Sequence, residues 1–367
     1  MNFDKMKYGQ KYFPDVDVRD LYRCVSCGNC RSVCPVFEVG GWESTNTRGR
    51  ILIARNLYEG AEFEEEIFDS INTCTTCGIC AKTCPAGANP PALVEGIRKG
   101  LVDMGKMTET QKRISETVDE FGNTLKSEEK RNSWLTSDIQ VPKKADVVYF
   151  VGCLDSYRYK ETALKTYKIL NKLGVGLLED ETCCGSPLLR IGFSAEKQTD
   201  HNRKQFIRSG TKTVVVGCAG CYNTLKSNFP ELEILSVSDF LSKNIEKLKS
   251  AGLKKLDITV SFHDPCHYGR DNSIFESPRK IILEICTLKE MKNTKEKSKC
   301  CGGGGGVRTG YNDLSIEIAK RRWEDLPKGV NALVTTCPLC VRNMRDSNSN
   351  PEIQVLDIID LIESALE

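Results

Sequence analysis

Two adjacent thiols followed by a glycine run, Cys300-Cys301-Gly302 and on to Gly306, have no ordinary packing role. Something must come close to that backbone. Cys266 stands upstream and Cys337-Pro338-Leu339-Cys340 downstream, and an earlier copy repeats the order as Cys153, Cys183-Cys184-Gly185 and Cys218-Ala219-Gly220-Cys221. Consecutive cysteines point in different directions, so one tetrahedral zinc is an awkward partner for such a pair, whereas a larger inorganic object offers each sulfur its own metal atom. A vicinal disulfide or a zinc site is the competing reading of a single Cys-Cys-Gly. Two copies, each with distant cysteines and a Cys-x-x-Cys, weigh against it.

A second pattern opens the chain. Cys24, Cys27, Cys30 and Cys34-Pro35 recur as Cys74, Cys77, Cys80 and Cys84-Pro85, the spacing of bacterial two-cluster ferredoxins. Three thiolates on one tight loop reach three corners of a cubane, and the fourth, turned away by its proline, reaches the neighbouring cluster. The expected sets are Cys24, Cys27, Cys30 and Cys84 for one [4Fe-4S] cluster, and Cys74, Cys77, Cys80 and Cys34 for the other. A pair of zinc knuckles would need neither this periodicity nor the prolines. Of the 19 cysteines only Cys286 is left over, and its apolar neighbours Ile281, Ile282, Leu283 and Ile285 mark it as a small core residue.

Composition narrows the setting. The chain has 367 residues, 40% hydrophobic and 28% charged, enough for about two or three domains with real cores. Charges dotted through Met1 to Asp20 argue against an export signal and so for a reducing compartment, where structural disulfides are rare. The apolar runs Val147 to Val151 and Val214 to Val216 fall far short of the ~18 residues of a membrane span. A net charge of +2 with interleaved signs makes no electrostatic case for nucleic acid.

The elements that must position the cysteines follow from periodicity. Arg50 to Leu57, Glu62 to Ile71, and Pro91 or Ala92 to Met104 read as helices, which predicts a helical ferredoxin domain over 1–107. The charged tract 108–144 reads as a surface helix passing into a linker from Lys126 to Lys144, a solvated face without a function. From Ala145 strands alternate with helices: Asp146 to Val151, Val175 to Leu178, Lys212 to Val216 and Ile234 to Val237 are strands, with Glu161 to Leu173 and Gln198 to Ser209 helical. The order repeats with strands Asp257 to Phe262 and Ala332 to Thr336 and helices Pro278 to Cys286 and Leu314 to Leu326. This predicts two α/β domains with parallel, Rossmann-like sheets, 145–252 and 253–367, with cysteines at strand carboxyl ends, where such sheets place ligands. The glycines Gly302, Gly303 and Gly304 to Gly306 are free to take positive φ and aim N–H groups at cluster sulfides or a thiolate. No G-x-G-x-x-G register fits them, and Lys289 to Lys299 is no strand, so a nucleotide loop is discounted.

Phe150-Val151-Gly152-Cys153, Cys183-Cys184-Gly185-Ser186-Pro187-Leu188-Leu189, His263-Asp264-Pro265-Cys266-His267 and Cys300-Cys301-Gly302 together resemble the catalytic subunits of heterodisulfide reductase. The ferredoxin domain in front resembles the fused D-type arrangement of methanogenic archaea, and the resemblance covers essentially all of 20–365. It implies a non-cubane [4Fe-4S] cluster on each five-cysteine set: Cys153, Cys183, Cys184, Cys218 and Cys221; and Cys266, Cys300, Cys301, Cys337 and Cys340. The mixed disulfide of coenzyme M and coenzyme B would enter between the two, and electrons would arrive singly through the cubanes, so that no free thiyl radical forms. That substrate carries a sulfonate, a phosphate and a carboxylate, for which Arg158, Arg190, Arg270 and Arg308 are candidate cations, each also open to a surface or packing role. His267 is a candidate proton donor to product thiolates or a structural hydrogen bonder.

The resemblance further implies a partner that supplies electrons, either a membrane cytochrome b or a soluble flavoprotein, and a cytoplasmic protein, or one held peripherally on the cytoplasmic membrane face through that partner. Two other readings compete. One is an electron-transfer subunit linking a flavin partner to a quinone pool, as in glycolate and lactate dehydrogenases, although relatives of that kind often lack cysteines in one repeat. The other is a thiol-oxidising subunit coupled to fumarate reduction or sulfur metabolism.

Overall fold

The computed structural model describes residues 3–142 and 144–366. Met1, Asn2, Lys143 and Glu367, which include the outer limits of the expected first and last domains and one linker residue, lie outside the described residues. The chain divides into two compact units that interleave in sequence. One holds the residues up to Glu116 with Pro187–Ser194 and Glu296–Trp323; the other holds Thr117–Ser186, Ala195–Lys295 and the chain from Glu324 onward.

The first unit is helical. Its ferredoxin part contains Val18–Arg23, Pro35–Gly40, Thr47–Tyr58, Ile67–Asn72, Ile79–Thr83 and Pro90–Asp103. Caps start the main helices: Asp17 accepts the Arg19 N–H, Asn46 the Gly49 N–H at 3.1 Å, and Asn89 precedes Pro90 and Pro91, prolines tolerated where no helical N–H is needed. Leu21, Ile51, Ala54, Leu57, Ile71, Leu93, Ile97 and Leu101 close over one core. The expected helix over Glu62 to Ile71 is shorter than its periodicity suggested, beginning only at Ile67, because Glu62 and the acidic run Glu64-Glu65-Glu66 stay exposed and bury nothing.

The second unit holds two four-stranded parallel sheets of the same topology. β1 (Val147–Phe150), β2 (Gly176–Leu177), β3 (Thr213–Val216) and β4 (Glu233–Ser236) stand in the order β2-β1-β3-β4; β5 (Thr259–Phe262), β6 (Thr287–Leu288), β7 (Ala332–Thr335) and β8 (Gln354–Asp357) stand as β6-β5-β7-β8. Val147 pairs with Thr213 in the first sheet as Val260 pairs with Ala332 in the second. The inner strands β1, β3 and β7 are largely apolar and buried, as sheets covered on both faces require, whereas β4 and β8 at the edges begin on exposed Glu233 and Gln354. Tyr149, Val215, Phe262, Ile282, Val334 and Ile362 belong to a single core, and Cys286 is buried in it just past the end of the helix Glu276–Ile285. Among the described residues no helix is long and apolar enough to cross a membrane.

The tract expected to be a solvated linker is built into this unit instead. Beyond the helix Glu109–Phe121, Trp134 is buried in the shared core and stacks edge-on against Tyr167 at 5.9 Å. Arg131 is also buried: its Nε donates to the Glu181 backbone oxygen at 3.1 Å and lies 3.6 Å from the Glu181 carboxylate. That carboxylate accepts the Val151 and Gly152 N–H groups, each at 2.8 Å, and so shapes the turn that delivers Cys153. Counting charges along the tract hid this, because the partner of Arg131 is far away in sequence.

Both side chains of the Arg131–Glu181 pair are at most 4% exposed. Arg131→Gln should therefore destabilise the unit by about 3–5 kcal/mol, because it strands a buried carboxylate; the midpoint of urea unfolding measures the loss. Asp357, at the end of β8, behaves differently. Burial pushes its carboxyl up to about 7 from an ordinary 3.8, despite the Ile359 N–H bond that favours the anion. The folded state then binds more protons than the unfolded state between these values, so stability falls as pH rises from about 4 to about 7 and levels off above. Asp357→Asn should remove this part of the slope, gaining stability over wild type by a few kcal/mol at pH 8 but not at pH 4.

Candidate functional site

Four thiols of the first unit gather round one small cavity: Cys24, Cys27, Cys30 and Cys84 line it with Val25, Ser26, Gly28 and Pro85. Burial, followed by the nearby Cys24, pushes the Cys30 thiol up to about 11. The other ferredoxin loop is deeper, with Cys77 and Cys80 buried. Cys34 belongs beside it electrostatically, since its charge acts on both Cys74 and Cys80, and Arg50 Nη1 lies 3.8 Å from its Sγ. Burial raises Cys74 and raises Cys80 well above the usual thiol range. No disulfide joins any of these thiols among the described residues. Two groups of four convergent sulfurs, with burial opposing the ionisation of Cys30, Cys74 and Cys80, are a donor set that fits cationic iron, which would make the thiolate the stable form.

The first five-cysteine set lies wholly in the second unit. Cys153 follows β1 at the start of the helix Cys153–Tyr157, and Cys218 follows β3 as the cap of Ala219–Asn228. Its sulfurs form a connected chain: Cys153 with Cys183, Cys183 with Cys184, Cys184 with Cys221 and Cys221 with Cys218. Contact with Cys183, and then burial, holds Cys153 well above the usual range. Cys184 is drawn well below it by bonds from Cys183 and Cys221. The chain continues into the other repeat, because Cys218 bonds Cys337, which is drawn well below its usual range by Cys218 and Cys340. Cys218 and Cys337 occupy equivalent places, each following the third strand of its sheet and capping the next helix. Tyr268 reinforces the junction: its hydroxyl donates to the Val216 carbonyl at 2.8 Å and its ring meets that of Tyr222 edge-on at 5.3 Å.

The second set is divided between the units. Cys266, Cys337 and Cys340 belong to the second, Cys300 and Cys301 to the first. Bidentate pairing of Asp264 with Arg279, at 2.7 and 2.9 Å, anchors the loop before Cys266. In the first unit the Gly302 N–H donates to Cys300 Sγ at 3.2 Å, one of the amide-to-sulfur contacts expected of the glycine run. Most of the run meets something else. A Cβ on Gly305, at φ +63°, would stand 2.2 Å from the Cys74 carbonyl oxygen, and one on Gly304 2.6 Å from that of Thr75. The close approach that requires these glycines is to the second ferredoxin loop.

The candidate substrate cations have separate surroundings. Arg190 pairs with Glu95, Arg158 ends the helix Cys153–Tyr157, Arg308 lies in the short helix Val307–Gly310, and Arg270 is only 1% exposed. His267 Nδ1 lies 2.6 Å from Asp271 Oδ2, which orients the ring. Sequence reasoning missed Arg50, Arg98 and Arg131. Arg98 donates to the carbonyls of Ile71, Asn72, Cys74, Arg190 and Gly305 at 2.6–3.1 Å, and so ties the second ferredoxin loop to the glycine run. Nothing in the helix Pro90–Asp103 distinguished it beyond a lone arginine on an apolar face.

Residues 20–88 match the 4Fe-4S dicluster domain family, and residues 147–226 and 260–345 each match the cysteine-rich domain family. Over 96% of its length the chain is 34% identical to the D component of dihydromethanophenazine:CoB–CoM heterodisulfide reductase from Methanosarcina barkeri, spanning 95% of that protein, and it matches the Methanosarcina mazei protein of the same name equally. It is 30% identical to the B component of fumarate reductase (CoM/CoB) from Methanothermobacter marburgensis, over 95% of this chain and 73% of that one. A dicluster ferredoxin domain, two cysteine-rich sheets and 34% identity over nearly the whole chain lead to one assignment: the chain belongs to the D-type family of heterodisulfide reductase subunits, which are iron–sulfur oxidoreductase proteins.

Proposed function

We propose that this chain reduces the mixed disulfide of coenzyme M and coenzyme B, or a closely related small disulfide, to two thiols. Two electrons and two protons are consumed, and each sulfur leaves as a thiol. The observation that carries the reading is the contact between equivalent cysteines of two complete five-cysteine sets, Cys218 with Cys337. A disulfide has two sulfurs to accommodate at once, and a duplicated site with adjoining halves suits it. Cys24, Cys27, Cys30 and Cys84, and Cys74, Cys77, Cys80 and Cys34, would hold two cubane clusters, and the two five-cysteine sets two non-cubane clusters. When bound, these groups supply single electrons and iron sites for sulfur.

The protein's own residues do the rest. Buried thiolates present the clusters, the Gly302 N–H steadies the Cys300 sulfur, and Asp271 holds His267 with a proton on Nδ1, beside Cys266. Arg158, Arg190, Arg270 and Arg308 are the proposed anchors for the substrate's anionic groups. Electrons come from a partner protein, a membrane cytochrome b or a soluble flavoprotein, on the cytoplasmic side. The relative named for fumarate reduction with CoM and CoB favours one second reading, in which the same site runs toward thiol oxidation.

Anaerobically prepared protein should contain ~16 irons per chain if all four sites fill, against ~8 for the ferredoxin sites alone. It should oxidise reduced viologen when given the mixed disulfide, and the oxidised protein should develop a new paramagnetic signal with coenzyme M thiol. Cys184→Ser and Cys301→Ser should each lower that turnover at least 100-fold while the reducible cubane signals persist. Full iron content with neither turnover nor the thiol-induced signal would leave an electron-transfer role as the better description.

A further inference from the structure

The two ferredoxin sites of the first unit are built unalike. Cys27 of the outer site is exposed, Cys24, Cys30 and Cys84 are half-buried, and Val25 between them is 69% exposed. Its neighbouring cation, Arg48, reaches the Ser26 carbonyl at 3.3 Å but is paired with Glu43 at 2.6 Å and partly in solvent. The inner site has Cys34, Cys77 and Cys80 buried, with Thr75 and Thr76 each 2% exposed. Two guanidinium groups are buried beside it, Arg50 at 2% and Arg98 at 1% exposure.

Among the described residues neither guanidinium hydrogen-bonds a carboxylate. Arg50 donates to the Ser70 carbonyl at 2.7 Å and to Thr73 Oγ1 at 3.0 Å, besides its contact with Cys34 Sγ. Arg98 donates to backbone carbonyls, that of Cys74 at 2.9 Å among them. A buried charge needs a counter-charge; for Arg98 the Cys74 sulfur acts first and Glu95, already paired with Arg190, second, so a thiolate-held cluster would be the main negative group beside these cations. The balance of effects follows from sign. Each electron added to such a cluster adds negative charge, so burial makes reduction harder and a buried cation makes it easier.

We propose that Arg50 and Arg98 hold the reduction potential of the inner cubane above that of the outer one, so that electrons entering at the exposed Cys27 side move inward. Arg98 then has a second effect as a positioning residue. By bonding both the Cys74 and Gly305 carbonyls it keeps the inner loop against the segment that carries Cys300 and Cys301. The inference rests on the reading that both ferredoxin sites hold cubanes.

The test is a potentiometric titration of the full, anaerobically loaded chain, followed by paramagnetic resonance, with a soluble paramagnetic chelate to mark the outer cluster by its broadening. Arg50→Met and Arg98→Met should each make the inner potential more negative by at least about 59 mV, a tenfold change in the one-electron equilibrium between the clusters. Arg50→Lys should recover most of the shift, and the outer potential should stay put. Arg50→Gln, which keeps a donor for the Ser70 carbonyl, is the variant to use if the methionine forms fail to load. An unchanged inner potential in a loaded neutral variant, or equal shifts of both clusters, overturns the proposal. A wild-type protein with no second cubane signal and a correspondingly low iron content overturns the cubane reading along with it, and is told apart by that content.

Discussion

Sulfur buried as thiolate is stable only beside positive charge, and the architecture of this chain depends on meeting that condition many times over. Burial raises Cys74 and Cys80 above the ordinary thiol range, and contacts with neighbouring thiols followed by burial raise Cys153 and Cys221, so the polypeptide alone would keep them protonated. Iron, where bound, would reverse that balance. Arg50, Arg98 and Arg131 add cationic charge from the protein, and each reaches its sulfurs from a segment remote from them in sequence.

The duplication explains how one unit can present equivalent sulfurs to each other. Each repeat places a cysteine after its first and third strands, where the backbone turns from strand to helix and the side chain leaves the sheet. Two sheets of identical order sharing one core bring Cys218 to Cys337, and Tyr268 bonded to the Val216 carbonyl braces that meeting. Packing and chemistry are coupled here: the core that stabilises the second unit also sets the spacing of its sulfurs.

The glycine run illustrates a second coupling, within the first unit. Glycine there removes a steric barrier, since a side chain at Gly305 would collide with the Cys74 carbonyl. Arg98 then fills the space between the two loops with hydrogen bonds to both. Close backbone approach and a shared guanidinium make the ferredoxin loop and the Cys300-Cys301 segment neighbours by construction.

Much of this was legible in the residues alone. Cysteine spacing, prolines after the fourth thiols, strand runs ending on cysteines and the repeat of the whole order are local features, and local features are readable because they depend on neighbours in the chain. Helices and strands accordingly lie within a few residues of expectation, and the membership of the dicluster and cysteine-rich families follows the same motifs. What only the tertiary structure decided is which remote segments meet: Trp134 and Arg131 drawn out of an apparent linker into the second unit, Pro187–Ser194 and Glu296–Trp323 assigned to the first, Cys218 set against Cys337, and Arg98 set between Cys74 and Gly305. The reason is physical. Charge compensation and core burial are satisfied through space, and a charged residue in a sequence carries no mark of the distant partner that will neutralise it.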